Sequence, residues 1–269
     1  MAALAAVLAL SIACATLPVP ATRGRNRAFM VRHDLPGGTL ELQMIKPAEP
    51  IVPNRIVLYA SGDGGWLNAA VDMFHIAGAL GYPVVGFSTF SFMPVVGRGE
   101  RYTLQSLAQD YHSILARARE EMALPPDTQV ILTGWSHGAS LAVVAGNARG
   151  LRDETAGVIA IGLTPREQIR TPSDENDLSF AALSPSGNRR MYDTYRLIQH
   201  ITLCRTAIIQ STGDGYLKAA EAQPRFGLDS PMRRFVAVPA KSHAFRGGEL
   251  AFVERFRQTL DWMADAPAR

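Results

Sequence analysis

The sequence lacks the features of disulfide-stabilised, metal-dependent and nucleotide-binding proteins. Only two of its 269 residues are cysteine, Cys14 and Cys204. If Cys14 is removed or lipidated, no second cysteine remains to form a disulfide, so the fold does not depend on one, and Cys204 is expected in the core. No H-E-x-x-H pattern, close His/Cys cluster or G-x-x-x-x-G-K-[ST] loop occurs. We therefore expect no metal and no cofactor.

The chain also lacks a strong charge and any internal repeat. Its net charge is +3 and its pI is near 9.0, with no Lys/Arg cluster interleaved with aromatics. This balance argues against a nucleic-acid partner but permits peripheral contact with an anionic membrane. A hydrophobic content of 47% and a charged content of 19% are typical of a globular protein. No linker is evident, so residues 23–269 are predicted to form one domain.

The N-terminus has no charged residue before Arg23 and is apolar from Ala2 to Ala15. This run is short for a membrane span and resembles the apolar part of a signal peptide. Residues 1–22 are therefore predicted to be a leader, and the protein to be exported or periplasmic. The small residues around Cys14 also permit a lipoprotein cleavage site. A disordered alanine-rich leader is the alternative.

Apolar strands alternate with helical segments along the rest of the chain. This alternation predicts an α/β fold with a doubly wound, mostly parallel sheet covered by helices on both faces. Thr164 to His200 interrupts it, because this polar segment lacks a strong apolar period. We expect it to be an insertion over the strand ends, forming a lid or a substrate-binding segment. Predicted strands are 39–45, 55–60, 84–88, 130–133, 157–163, 206–211 and 235–238, and predicted helices are 69–80, 103–122 and 249–263.

The most informative motif is G-x-S-x-G, formed by Gly134-Trp135-Ser136-His137-Gly138. It follows an apolar strand and precedes a helix of small residues. In α/β hydrolases such a turn holds a nucleophilic serine above the sheet. Ser136 is therefore the candidate nucleophile. The alternative is a glycine-rich turn with an incidental serine.

A serine hydroxyl needs a base, and the base needs a group that fixes its tautomer. In this fold both follow the nucleophile along the chain, in the order acid and then histidine. Asp214 follows the strand 206–211, and His243 follows the strand 235–238. His243 is predicted to be the general base and Asp214 the orienting carboxylate. Asp174 and Asp177 are weaker rivals, because neither follows a strand.

Backbone amides are expected to stabilise the oxyanion. The amide of His137, next to the nucleophile, is one candidate. The second should come from the glycine-rich loop Ser61-Gly62-Asp63-Gly64-Gly65-Trp66, with Asp63 as donor and Gly64 as the alternative.

Two tryptophans are candidate substrate contacts. Trp135 lies beside the nucleophile, and Trp66 closes the glycine-rich loop. For Trp66, core packing is the alternative role.

Three segments together resemble the VirJ/AcvB domain of bacterial virulence factors. They are Y-A-S-G-D-G-G-W at 59–66, G-W-S-H-G at 134–138 and H-A-F-R-G-G at 243–248. The resemblance covers about Arg55 to Ala264, and its S-G-D-G-G-W loop is the most specific part. The family's nucleophile matches Ser136 and its histidine matches His243. The acid loop here, Gly213-Asp214-Gly215-Tyr216, is less acidic than the family pattern.

The resemblance implies an exported α/β hydrolase that cleaves the ester of aminoacylated phosphatidylglycerol, such as the lysyl form. It also implies a link to type IV secretion and hence a secretion-system partner. One alternative is a carboxylesterase for small soluble esters, and another is a non-catalytic binding or scaffold protein. A membrane-facing lid should expose apolar side chains such as Leu178, Phe180 and Leu183.

Overall fold

The chain folds around an eight-stranded sheet in a computed structural model that describes residues 17–21, 26–50, 52, 54–96, 103–169, 178–186 and 189–265. The strand order is β1-β2-β4-β3-β5-β6-β10-β11. The first two neighbouring pairs are antiparallel, and the other pairs are parallel. The strands are β1 (Arg27–Leu35), β2 (Gly38–Lys46), β3 (Arg55–Ala60), β4 (Val84–Phe87), β5 (Gln129–Trp135), β6 (Thr155–Ile161), β10 (Arg205–Ser211) and β11 (Arg233–Val238).

The central strands read as continuous apolar runs because both faces of the sheet are covered. In β3, Ile56, Leu58 and Ala60 belong to one buried cluster. Val57 and Tyr59 belong to the cluster on the opposite face. This division follows from the strand geometry, since successive side chains point to opposite sides.

Helices lie on both faces of the sheet. On one face the described helices are α1 (Ala69–Ala79) and α7 (Glu249–Ala264). The other face carries α2 (Thr89–Val96), α3 (Leu104–Met122), α4 (His137–Gly146), α5 (Thr194–His200) and α6 (Ala219–Phe226). The protein therefore has the predicted three-layer α/β architecture.

The predicted strands and helices are all present, with boundaries within two residues of those expected. The burial predicted for Cys204 is also confirmed. Outside the segment 164–200, three of the described strands and α-helices were not predicted. β1 is an edge strand whose residues are mostly exposed or half-buried, so its apolar period is weak. α2 and α6 are short and contain Pro94 and Pro224, residues that usually disfavour a helix interior.

The segment 164–200 contains regular structure that the sequence analysis missed. Its described residues form a three-stranded antiparallel sheet in the order β7-β9-β8, followed by α5. Leu197 and Ile198 of α5 are fully buried in the core beside α4. The C-terminal part of the predicted insertion is therefore integral to the domain. These strands are β7 (Arg166–Ile169), β8 (Ala182–Ser186) and β9 (Arg189–Asp193).

Candidate active site

Ser136 occupies a strained turn between β5 and α4. Its backbone has φ 57° and ψ −120°, a conformation that non-glycine residues rarely adopt. It immediately precedes α4, but its side chain makes no capping hydrogen bond to that helix. The hydroxyl is thus not committed to helix capping, and the residue is 8% exposed.

The two glycines of the motif are required by close backbone contacts. A Cβ at Gly134 would lie 2.3 Å from the carbonyl oxygen of Gly138. A Cβ at Gly138 would lie 2.1 Å from the carbonyl oxygen of Ala60 and 2.3 Å from that of Ser61. These separations are too short for any side chain, so only glycine lets α4 start this close to β3.

Asp214 and His243 are brought together by the parallel strands β10 and β11. His243 Nδ1 lies 2.7 Å from Asp214 Oδ2, and the Asp214 side chain is fully buried. Both residues follow the carboxyl ends of their strands, the edge at which such sheets bind ligands. His243 Nε2 is buried and has no hydrogen-bond partner in the part of the chain that the structure describes.

Two further groups hold the Asp214 carboxylate. Gln210 Nε2 donates to Oδ2 at 3.0 Å, and the backbone amide of Tyr216 donates to Oδ1 at 2.8 Å. Gln210 also donates to the carbonyl of Leu217. The sequence analysis missed Gln210, although a glutamine directly after the apolar run Ala207-Ile208-Ile209 of β10 is a signal that could have identified it.

The imidazole of His243 lies beside the serine turn. The Trp135 ring, one residue before Ser136, packs 5.3 Å from the His243 ring, and Trp135 Nε1 donates to the His243 carbonyl at 3.2 Å. A Cβ at Gly162 would lie 2.8 Å from His243 Cε1. Among the described contacts no hydrogen bond joins Ser136 to His243. Catalytic hydrogen bonds of this kind often tighten only when substrate binds.

The glycine-rich loop after β3 lies against Ser136. A Cβ at Gly62 would be 3.6 Å from Ser136 Cβ. The Gly62 carbonyl accepts hydrogen bonds from the Ser61 and Thr89 hydroxyls and from the Gly65 amide. Because a trans peptide directs its C=O and N–H in opposite directions, the amide of Asp63 points away from these donors.

The next amide along the chain, that of Gly64, already donates a hydrogen bond within the loop. Asp63 Oδ1 accepts a hydrogen bond from the Gly64 amide at 2.9 Å. In contrast, the amides of Asp63 and His137 donate to no protein acceptor within the described ranges. For His137 this is expected, because the first amides of a helix have no partner inside it. The geometry therefore favours Asp63 over Gly64 as an oxyanion donor.

The side chain of His137 points to the inserted sheet. Its Nδ1 lies 3.0 Å from Glu167 Oε1, and Glu167 Oε2 accepts a hydrogen bond from Thr164 Oγ1 at 2.9 Å. Burial acts to raise the pKa of Glu167, but the hydrogen bond and charge of His137, aided by Thr164 and the Gln168 amide, outweigh it and lower the pKa. Sequence reasoning missed Glu167, and no local pattern marks it.

Trp66 packs mainly in the interior. Its ring lies 4.9 Å from that of Phe74 and 6.1 Å from that of Tyr59, both in edge-on arrangements. A Cβ at Gly86 would meet the Trp66 ring at 2.7 Å. These contacts agree with core packing, and a substrate contact by Trp66 stays a prediction. Trp135 contacts His243 and therefore lies within the site.

The apolar residues expected on a membrane-facing lid are not all exposed. Leu178 is 4% exposed, and Phe180 is half-buried with its ring 4.3 Å from that of His200. Leu183, at 43%, is exposed. Leu178 thus does not show the exposure that a membrane-facing lid would require, because its side chain joins the main core cluster.

Three large apolar side chains that lie beside the loops of the site are exposed instead. Leu67 is 62% exposed, Phe90 72% and Tyr216 65%. A Cβ at Gly65 would lie 3.4 Å from Phe90 Cβ, and the Tyr216 ring lies 4.8 Å from that of His243. Leu67 directly follows the glycine-rich loop, and we call these three residues the apolar rim.

Several sequence predictions lie outside the described residues. They concern the apolar leader up to Cys14 and the rival carboxylates Asp174 and Asp177. Across the described ranges, no three His, Cys, Asp or Glu side chains cluster closely enough to hold a metal ion. Nor does any described helix combine the length and hydropathy of a membrane span.

A family model described as bacterial virulence protein (VirJ) matches residues 54–164. This match confirms the resemblance to the VirJ group. It includes the glycine-rich loop and the serine motif but ends before Asp214 and His243. No curated protein matches the chain.

Similar solved structures show that the protein has the α/β-hydrolase fold. A proposed dienelactone hydrolase from Klebsiella pneumoniae subsp. pneumoniae has a TM-score of 0.64 and 11% identity, covering 90% of this chain and 100% of that one. An α/β serine hydrolase without lid from Xanthomonas campestris has a TM-score of 0.58 and 16% identity, covering 92% and 99%. The esterase domain of a Rhodothermus marinus protein has a TM-score of 0.53 and 15% identity, covering 88% and 98%.

Proposed function

We propose that the protein is a serine hydrolase that cleaves a carboxylic ester through an acyl-enzyme. The observation that carries this proposal is the buried Asp214–His243 hydrogen bond beside the strained Ser136 turn. With Nδ1 bonded to Asp214, His243 has Nε2 available to exchange a proton. The hydrolases and esterases among the similar folds support the same class of reaction.

In the acylation step, Ser136 Oγ attacks the ester carbonyl while His243 Nε2 takes the hydroxyl proton. The amides of Asp63 and His137 donate hydrogen bonds to the oxyanion that forms. The intermediate collapses as the bond to the alcohol breaks, and His243 returns the proton to the leaving oxygen. Water, deprotonated by His243, then releases the acyl group and regenerates Ser136.

For the substrate we propose the aminoacyl ester of aminoacylated phosphatidylglycerol, including the lysyl form. The VirJ match over residues 54–164, the apolar rim and the net charge of +3 support an ester carried by an anionic lipid. The proposal also includes a periplasmic location, peripheral membrane contact and a secretion-system partner. The acidic side chain of Asp63, in the glycine-rich loop beside Ser136, is exposed and suits a cationic aminoacyl group.

One observation favours a small soluble ester instead. Among the described residues of the inserted segment, Leu178 is buried and Phe180 is half-buried, so two of the three apolar side chains expected on a membrane-facing lid are not fully exposed. A small soluble ester would not need such a surface, since it reaches the enzyme directly from solution.

Labelling with a fluorophosphonate probe tests the reaction class. Wild type should be labelled, Ser136→Ala should not be labelled, and His243→Ala should be labelled much more slowly. A folded wild type that resists labelling would contradict the proposal and favour a binding or scaffold role.

Hydrolysis of lysyl-phosphatidylglycerol in vesicles, compared with p-nitrophenyl acetate in solution, separates the two substrates. We expect preference for the lipid, and Phe90→Ser should weaken hydrolysis of the lipid more than that of the small ester. Asp63→Asn should reduce discrimination between lysyl and neutral aminoacyl esters. A lipid rate no higher than background would leave the small-ester function.

A further inference from the structure

We propose that Glu167 is a positioning residue that acts through His137 to fix the oxyanion hole. The inference rests on the proposed function. Glu167 lies on β7 of the inserted sheet, while His137 is the first residue of α4 and the neighbour of Ser136. The 3.0 Å contact between them joins two segments that are distant in sequence.

The need for such an anchor follows from the strained turn. Ser136, with φ 57°, keeps its conformation only because the surrounding structure holds it. The His137 amide, a proposed oxyanion donor, belongs to the same turn. An anchored His137 side chain restrains the direction of this amide, and oxyanion stabilisation depends on donors that are oriented before the reaction.

Glu167 is itself held in place. Its Oε2 accepts a hydrogen bond from Thr164, and the Thr164 carbonyl accepts one from the Thr194 hydroxyl. The Tyr195 hydroxyl donates to the neighbouring Leu163 carbonyl at 3.3 Å. Since Thr194 and Tyr195 belong to α5, which packs on α4, Glu167 is supported by the core. The side chains of His137 and Glu167 are only 14% and 19% exposed.

Electrostatics alone predicts the opposite effect of removing Glu167. A carboxylate near the oxyanion hole repels the developing negative charge, so its loss would speed the reaction if charge were its main influence. A positioning role predicts slower reaction. The sign of the change in kcat therefore separates the two.

The test compares wild type with Glu167→Ala and Glu167→Gln, and uses Glu154→Ala as the matched control. Glu154 also pairs with a histidine, His112 of α3, and its second oxygen pairs with Arg119 of the same helix, both outside the active site. We expect E167A to lower kcat by about tenfold with little change in KM, a fraction of the ~100-fold cost of losing an oxyanion donor. E167Q, which keeps a hydrogen-bond acceptor, should recover part of the rate. E154A should keep the wild-type kcat.

Affinity for an arylboronic acid provides a second readout. Its adduct with Ser136 places an oxygen in the oxyanion hole, so the inhibition constant of E167A should rise by the factor by which kcat/KM falls. If Glu167 only stabilised the fold, E167A and E154A would both have a lower melting temperature, and the inhibition constant of E167A would not rise in step with the fall in kcat/KM. If E167A does not fold, the same measurements of kcat, KM and the inhibition constant are made on E167Q and judged by the same criteria.

A wild-type or increased kcat in an active E167A enzyme would overturn this inference alone. An inactive wild type would overturn the proposed function and this inference with it.

Discussion

Replacing Asp214 with asparagine should remove most of the activity without unfolding the protein. Both carboxylate oxygens accept hydrogen bonds: Oδ2 from His243 and Gln210, and Oδ1 from the Tyr216 amide. An asparagine amide supplies one oxygen and one NH₂ group. In one orientation the NH₂ faces two donors, and in the other it faces the Tyr216 amide.

The second orientation loses one hydrogen bond, and the first opposes two donors and favours the wrong tautomer of His243. In serine proteases such a tautomer error lowers kcat by about 10⁴-fold, or about 5 kcal/mol of transition-state stabilisation. Because the substituted amide has one orientation that still accepts from His243, we expect a loss of about 10³- to 10⁴-fold.

The assay is kcat/KM on a p-nitrophenyl ester, with circular dichroism and urea unfolding to confirm the fold. Asp229→Asn is the control, since Asp229 Oδ1 accepts a hydrogen bond from the Phe235 amide outside the site. This control should keep wild-type activity. A folded D214N enzyme within tenfold of wild type would refute the assignment of Asp214 as the orienting acid.

Three further predictions address packing, pH and hydrogen bonding in the site. Gly138→Ala should destabilise the protein by about 3 kcal/mol in urea unfolding and abolish activity, because the added methyl would meet the Ala60 carbonyl oxygen; wild-type stability would contradict the contact. Glu167 has a pKa below its usual 4.5, so its stabilising contribution is complete above that pH and is lost as the pH falls through the folded-state pKa. The difference in unfolding free energy between wild type and E167Q should therefore shrink from pH 7 to pH 3, and a constant difference would exclude ionisation as its source. Trp135→Phe keeps a ring beside His243 but loses the 3.2 Å hydrogen bond to its carbonyl, so kcat should fall by roughly threefold to tenfold; an unchanged kcat would show that this bond does not position the base.

Much of the fold could be read from local patterns. Buried parallel strands produce short apolar runs, and α3 produces an apolar stripe of helical period. Both signals lie within a few residues and predict element positions well. β1 was not predicted, because an exposed edge strand needs no apolar period. α6 was not predicted, because Pro224 is unfavourable in a helix.

The candidate site was predictable where it depends on chain order and turn chemistry. Ser136, Asp214 and His243 follow strands of the sheet in the order expected for the fold, and the glycines around Ser136 are needed for backbone contact. The role of Gln210 was not predicted, since it depends on the Asp214 carboxylate folding back to accept a hydrogen bond from the Gln210 amide. The choice between the Asp63 and Gly64 amides likewise depended on the direction of one carboxylate.

The sequence by itself determined the α/β architecture, the serine turn and the candidate acid and base, because periodicity, glycine spacing and chain order are local properties. The tertiary structure alone decided that Glu167 meets His137, that Leu178 is buried and that α5 belongs to the core. These outcomes depend on which distant segments pack together. Such packing is set by the summed burial and hydrogen bonding of the whole chain, which no single segment encodes.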